Sequence, residues 1–238
     1  MKPYFSSSPQ IIKLLSKRSL VWSVPTKDKI VYLTFDDGPI PEVTPLVLEI
    51  LNKYNIKATF FCVGDNIVKY PTVFSQVLDS GHNICNHTFN HLKGWKTKNH
   101  IYLDNIDKFD RIYQSELFRP PYGKIKPSQI AKLKDRYAII LWSVLSCDFY
   151  QEYNFEDCLN IAIEGTKPGS IVVFHDSIKA SKNMLEALPL YIEEMLRLGY
   201  KFELLSKEII NNSILQSKTT SRLKGIYKRT AKTVQYIN

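Results

Sequence analysis

Along the chain, short apolar runs alternate with longer stretches in which apolar side chains recur every three or four positions. Ile30 to Phe35, Ala58 to Val63, His82 to His87, Leu117 to Phe118, Tyr137 to Leu145, Ser170 to Phe174 and Lys201 to Leu205 are of the first kind and predict seven strands. Between them, Thr44 to Tyr54, Pro71 to Ser80, Tyr102 to Tyr113, Pro127 to Lys134, Phe155 to Glu164 and Asn183 to Leu198 carry the helical period. Gly81 and Gly199 follow two of these helices as stops, and Pro127 sits near the start of another. Strands alternating with helices imply a parallel sheet. The expected fold is α/β, a distorted (β/α) barrel of about seven parallel strands rather than an open doubly wound sheet.

The 238 residues are 44% hydrophobic, enough for one sizeable core. Charge divides the chain more sharply than composition does. The net charge of +9 splits into +5 over residues 1–29, +6 over 211–238 and −2 over 30–210. Three parts are therefore expected: a basic N-terminal segment (1–29) packing on the barrel, the barrel domain (30–210), and a basic C-terminal tail (211–238). A folded module that is itself slightly acidic is not expected to bind nucleic acid. Within the tail, Leu223, Ile226, Tyr227, Ala231 and Val234 recur at near-helical spacing among lysines and arginines. That pattern suits either a solvated end or, with the basic N-terminal segment, peripheral contact with an anionic membrane. No apolar run approaches the roughly 20 residues of a membrane span. The Ile11 to Leu20 stretch is broken by Lys13, Lys17 and Arg18, unlike a signal peptide, so a cytoplasmic location is expected. Cys62, Cys85, Cys147 and Cys158 form no C-x-x-C pair and are expected to be reduced, buried thiols.

Candidate chemistry sits where the strands end, as it does in β/α barrels. The first strand runs into Asp36-Asp37-Gly38-Pro39. Two adjacent acids repel each other and are costly to bury unpaired, so they suit a cation site with one carboxylate to spare as a base; a polar turn before Gly-Pro is the plainer alternative. The third strand leads to His87 and His91, whose i, i+4 spacing on a helical turn would let them share a metal with one carboxylate and leave coordination positions open. Arg119-Pro120-Pro121-Tyr122-Gly123 offers a fixed turn, an arginine able to orient a carboxylate, and a glycine that lets a ligand come close. The sixth strand ends in His175-Asp176, where the histidine is placed either as a general acid or as a satisfied core residue. His82 and His100 lack such a setting and are expected to be structural or exposed.

Taken in order, Asp-Asp-Gly-Pro, His-Thr-x-x-His, Arg-Pro-Pro-Tyr-Gly and an apolar strand ending in His-Asp resemble the polysaccharide deacetylase (NodB-homology) family, carbohydrate esterase family four, from about Ile30 to Ser206. The resemblance implies a metal-dependent hydrolase that removes N-acetyl groups from a glycan such as a chitooligosaccharide or peptidoglycan. It implies a divalent ion, zinc first and cobalt or manganese as substitutes, on Asp37, His87 and His91. By the same resemblance Asp36 is the base, Arg119 holds it, His175 is the acid, and the Tyr122 N–H is an oxyanion donor. Pro121, Tyr122, Trp142 and Phe149 are expected at the sugar groove. One motif departs: where the family reads Trp-Ser-x-Asp-x-x-Asp-Trp, Leu145 and Phe149 replace an acid and a tryptophan in Trp142 to Phe149, leaving Asp148 to orient His175. Deacetylases and deformylases of lipid-linked amino sugars resemble the same pattern, and the altered motif keeps open a glycan-binding module without turnover.

Overall fold

The computed structural model describes residues 20–215. Its strands are β1 (Ile30–Asp36), β2 (Thr59–Cys62), β3 (Asn83–Asn86), β4 (Leu117–Phe118), β5 (Ala138–Ile139), β6 (Val144–Leu145), β7 (Ser170–His175) and β8 (Lys201–Phe202). Its helices are α1 (Thr44–Lys53), α2 (Gly64–Lys69), α3 (Pro71–Asp79), α4 (Asn99–Asp110), α5 (Pro127–Leu133), α6 (Phe155–Gly165) and α7 (Ser181–Arg197). A last helix covers residues 207–215. The strand order is β5-β4-β3-β2-β1-β7-β6, with β8 also on β1, and every strand pair is parallel.

The strands read as apolar almost throughout because both faces are covered. Along β1, Val31, Leu33 and Phe35 point out to the helices and pack with Phe60, Val172, Phe174 and the buried stripe of α7. Tyr32, in alternation with them, points inward to Phe61, Cys85, Leu117, Ile140 and Ile171. Thr34 and Asp36 share the inward face with Tyr32, which puts Asp36 at the inner, carboxyl end of the sheet. In the same alternation Leu117 faces in, Phe118 faces out into another cluster, and Arg119 returns to the interior.

The predicted strand from Tyr137 to Leu145 is corrected by the structure. It is two strands, and they form opposite edges of the sheet: β5 pairs with β4, β6 with β7. In a flat sheet those edges would lie about 29 Å apart, at six inter-strand spacings. The chain from Ile139 to Val144 reaches no more than about 18 Å. The sheet must therefore curl until its edges approach, giving an incomplete barrel. The N-terminal residues bridge the opening: Val21 pairs with Ile140, Ser23 with Ser170, and the Val24 N–H donates to the Gly169 carbonyl. The N-terminal segment thus packs on the barrel from Leu20 onward, and 1–19 lie outside the described residues. The boundary at 210/211 falls within the helix at 207–215, because Ile209, Ile210 and Ile214 pack into the interior cluster beside Val24, Tyr32 and Leu205. The amphipathic stretch at 222–236 lies outside the described residues. No described helix is long and apolar enough to cross a membrane. All four cysteines are free and buried, as expected.

Candidate active site

Sheet register brings the catalytic candidates together. Asp36 on β1 is paired with His175 on β7, so both side chains leave the same face at the same level. On the other side, Asn86 on β3 is paired with Phe118 on β4, which places the next residues, His87 and Arg119, side by side. His87 Nδ1 lies 2.8 Å from the Arg119 carbonyl oxygen, which can only accept, so Nδ1 carries the proton and the Nε2 lone pair is free for a metal.

Asp37, His87 and His91 form one cluster, with one ligand atom of each within 4.8 Å of the others. Asp37 Oδ1 is 3.1 Å from His91 Nε2 and 3.7 Å from His87 Nε2. The expected helical turn between the histidines is not what gathers them. They lie in an irregular segment in which Thr88 (φ 65°) and His91 (φ 54°) are left-handed. Asn86 steadies that segment: its Oδ1 accepts from the Thr88 N–H, and its Nδ2 donates to Asp110 and Tyr137. Asp37 is also left-handed (φ 86°), and its carbonyl accepts from Asn66 Nδ2 at 2.8 Å. Among the described residues, five of the six non-glycine residues with positive φ (Asp37, Thr88, His91, Tyr122 and Cys147) lie in the segments that build this site. Each such conformation costs on the order of 1–3 kcal/mol and persists only where the surroundings enforce it.

The charge states suit metal binding. Burial depresses the His87 imidazole to about 4, so it is a neutral ligand at pH 7. Burial by itself would raise Asp37, but the His91 hydrogen bond and the fields of His175, His87 and His91 outweigh it and hold the carboxyl below its ordinary range. One carboxylate and two imidazoles fit a dication of the zinc, cobalt or manganese kind and leave positions for small ligands. Beside Asp37 and His91 opens a cavity of about 330 Å³, also lined by Ile40, Val63, Asn66, Asn90 and Ser177.

Arg119 is wholly buried and is no surface arginine. Its Nη1 donates to Asp36 Oδ1 (2.6 Å) and Thr34 Oγ1 (2.9 Å), and its guanidinium lies 4.0 Å from the centre of the Phe61 ring. Removing one member of such a pair leaves the other charge unpaired in a dry interior. Arg119→Met should therefore lower unfolding stability by about 3–5 kcal/mol, measured by urea denaturation. A loss under about 1 kcal/mol would mean that Asp36 finds other partners.

His175 is tethered by a single acid. Asp148, itself buried, accepts from the His175 backbone N–H through Oδ2 (2.7 Å) and bonds Nδ1 through Oδ1 (2.8 Å). Burial alone would depress His175, but the charge and hydrogen bond of Asp148, with smaller contributions from Asp37 and Asp36, raise it to about 9. The imidazolium is thus present below about pH 9 and lost above it. A bound dication offsets the two smaller contributions and brings that limb down. Asp148→Asn removes the main support and leaves burial, so the basic limb of kcat/KM should move at least about one unit toward lower pH. An unmoved limb would separate Asp148 from the ionisation that controls rate. The replaced position, Leu145, fills the inner wall with Val173 and Cys147, and the Phe149 ring meets His175 edge-on at 4.9 Å.

Two expectations about the groove change. Pro121 is buried and shapes the turn rather than facing the cavity. Gly123 does not clear space for a ligand: a Cβ there would stand 2.9 Å from the Trp142 ring, which already occupies the gap. Trp142 is half-buried against the interior cluster. Tyr122, in contrast, is 54% exposed, with its ring 4.7 Å from that of His91. His82 accepts from the Ala58 N–H and is structural, and His100 is exposed.

Sequence patterns assigned Asp176 no role of its own. Its Oδ1 accepts from the Gly38 N–H at 3.0 Å and its Oδ2 from the Thr44 hydroxyl at 2.7 Å, fixing the turn that follows Asp37. A Cβ on Gly38 would fall 1.9 Å from Asp176 Oδ2, so only glycine fits there. Its signal was present: the Asp follows His175 directly on the strand that neighbours β1.

This is the equipment of a hydrolase, an enzyme that delivers a deprotonated water to a polarised carbonyl and protonates the group that leaves. Comparison with known proteins narrows the class. Residues 23–136 match the family described as polysaccharide deacetylase. A peptidoglycan-N-acetylglucosamine deacetylase of Bacillus cereus is 35% identical over 79% of this chain and 92% of its own. A chitooligosaccharide deacetylase of Azorhizobium caulinodans is 33% identical over 61% of this chain and 73% of its own. The crystal structure of the Bc1960 peptidoglycan N-acetylglucosamine deacetylase superposes with a TM-score of 0.77 at 30% identity, covering 83% of this chain and 95% of that one. The chain belongs to the polysaccharide deacetylase family and is a hydrolase of that kind.

Proposed function

We propose that the protein is a metal-dependent deacetylase of N-acetylated amino sugars within a glycan, with zinc as the resident ion and cobalt or manganese as substitutes. One observation carries the reading. The Asp37–His87–His91 cluster has beside it two independently tethered groups, Asp36 on Arg119 and His175 on Asp148. A closed structural metal site needs neither.

Asp37, His87 and His91 would hold the ion, which when bound acidifies water and polarises an acetyl carbonyl. Asp36, oriented by Arg119, takes the proton of the attacking water. The Tyr122 N–H, which has no backbone acceptor among the described residues, donates to the oxygen that gains charge. His175, charged through Asp148, gives its proton to the departing nitrogen, releasing acetate and a free amino sugar. The two groups work in opposite directions from paired positions on adjacent strands, so neither has to move far. The test is acetate release from N-acetylglucosamine oligomers and peptidoglycan by the zinc-loaded protein. Formate from an N-formyl substrate with no acetate would move the substrate assignment to a deformylase, and binding without turnover would make the fold a glycan-binding module.

A further inference from the structure

The segment that carries both histidines of the metal cluster is short, strained and held from outside. Thr88 (φ 65°) and His91 (φ 54°) are left-handed, and such residues persist only where their surroundings enforce them. His87 has its own tether, the bond between Nδ1 and the Arg119 carbonyl. His91 has no such tether among the described residues: its Nε2 meets Asp37 Oδ1 at 3.1 Å, and its ring lies against those of His87 and Tyr122. The direction of the His91 side chain is therefore set by the backbone that leads to it.

Two helices grip that backbone. The start of α2 supplies donors: the Gly64 N–H reaches the Thr88 carbonyl at 3.0 Å, and the Asp65 N–H reaches the Phe89 carbonyl at 2.9 Å. α4 supplies acceptors, and one residue provides them. Asn105 Oδ1 accepts from the Phe89 N–H and from the Asn90 N–H, each at 2.9 Å, and Asn105 Nδ2 donates to Asn90 Oδ1 at 2.9 Å. The Asn105 carbonyl also accepts from the Phe89 N–H, at 3.2 Å. On the same helix Lys108 Nζ stands 3.7 Å from the centre of the Phe89 ring. Asn105 is not what seats α4, because Tyr102, Ile106 and Phe109 bury its inner face and position 105 is only half-buried. Both polar atoms of its side chain are committed to the two residues just before His91.

We propose that Asn105 is a positioning residue of the metal centre: from α4 it fixes the backbone of Phe89 and Asn90 and thereby aims His91 at the ion. This rests on the metal-binding part of the deacetylase reading. It adds a determinant of metal affinity that touches neither ion nor substrate.

Zinc affinity of the full chain, stripped of metal and titrated in competition with a chromophoric chelator, tests it. Asn105→Ala should bind zinc about tenfold more weakly, at the lower end of the roughly 10–100-fold that follows loss of a partner supporting a ligand. Asn105→Asp keeps an acceptor for both N–H groups and should restore the affinity. It is read at about 0.15 M salt, where the added charge is screened beyond about 8 Å. On an N-acetylglucosamine oligomer the alanine variant should lose kcat at limiting zinc and regain it at saturating zinc, with KM for the glycan unchanged. A merely structural residue would lower the melting temperature and leave zinc affinity alone. Asn105→Leu, similar in shape but without polar atoms, repeats the test should Asn105→Ala not fold; if neither folds, Asn105 is structural and the inference is overturned. Unchanged zinc affinity in the alanine variant, or an aspartate variant as weak as the alanine one, overturns the inference and leaves the deacetylase reading standing. An unaltered chain that binds no zinc overturns both.

Discussion

Replacing Asp36 by Asn should leave the metal in place and lower kcat about 10³-fold, within the range that a positioned general base contributes. Asparagine keeps an oxygen for the Arg119 Nη1 bond but cannot take a proton from water. The variant thus separates the proton-transfer role of Asp36 from its structural pairing with Arg119. Metal content, measured on the same preparation, should stay near that of the unaltered protein, because the ligand cluster is made by Asp37, His87 and His91. Circular dichroism on heating confirms that the fold survives. If the Asp36→Asn variant loses metal as fully as the histidine variants do, the division of labour between the two adjacent acids is wrong.

His87→Ala should have an effect at least as large, by a different route. His87 is buried, and its protonated Nδ1 is committed to the Arg119 carbonyl, so Nε2 has one direction available to it. Alanine removes both the ligand and the link between the segments after β3 and β4. Metal affinity should fall by more than the roughly 10–100-fold that follows loss of a partner merely supporting a ligand. Acetate release should fall with it and recover in part as zinc is raised. Elemental analysis after gel filtration reads the first and a titration of activity with zinc the second. Full metal content in His87→Ala would place the ion elsewhere.

Asp36, Asp37, His87, His91, Arg119 and His175 were legible in the sequence because each follows or ends an apolar run, and strand ends in this class of sheet are where polar groups converge. Most element boundaries agreed within a few residues for the same reason. The 137–145 stretch misled because burial makes it uniformly apolar, and periodicity does not distinguish a strand from a segment crossing the barrel opening. The His87–His91 spacing predicted the correct pairing through the wrong local structure: left-handed residues at 88 and 91 do the work of a helical turn. Asn66, Asn86 and Asp176 were not legible as site residues. Asn66 and Asp176 bond backbone that only the folded chain brings near, at Asp37 and Gly38, and Asn86, which caps its neighbour Thr88, is itself held by Asp110 and Tyr137 from other elements. That Asp148 holds His175 through two bonds was not legible either, since two bonds from one carboxylate to one histidine are invisible in a motif.

The proposed reaction is hydrolysis of an N-acetyl group by a metal centre with its own base and acid. Its most direct test is to count acetate and free amine together as purified protein acts on an N-acetylated glycan, with zinc present and again after chelation. One acetate is expected for each new amine, with turnover lost on chelation and regained on adding zinc. Equal turnover before and after verified removal of the metal, or no acetate with zinc, cobalt or manganese on any N-acetylated glycan, would contradict it.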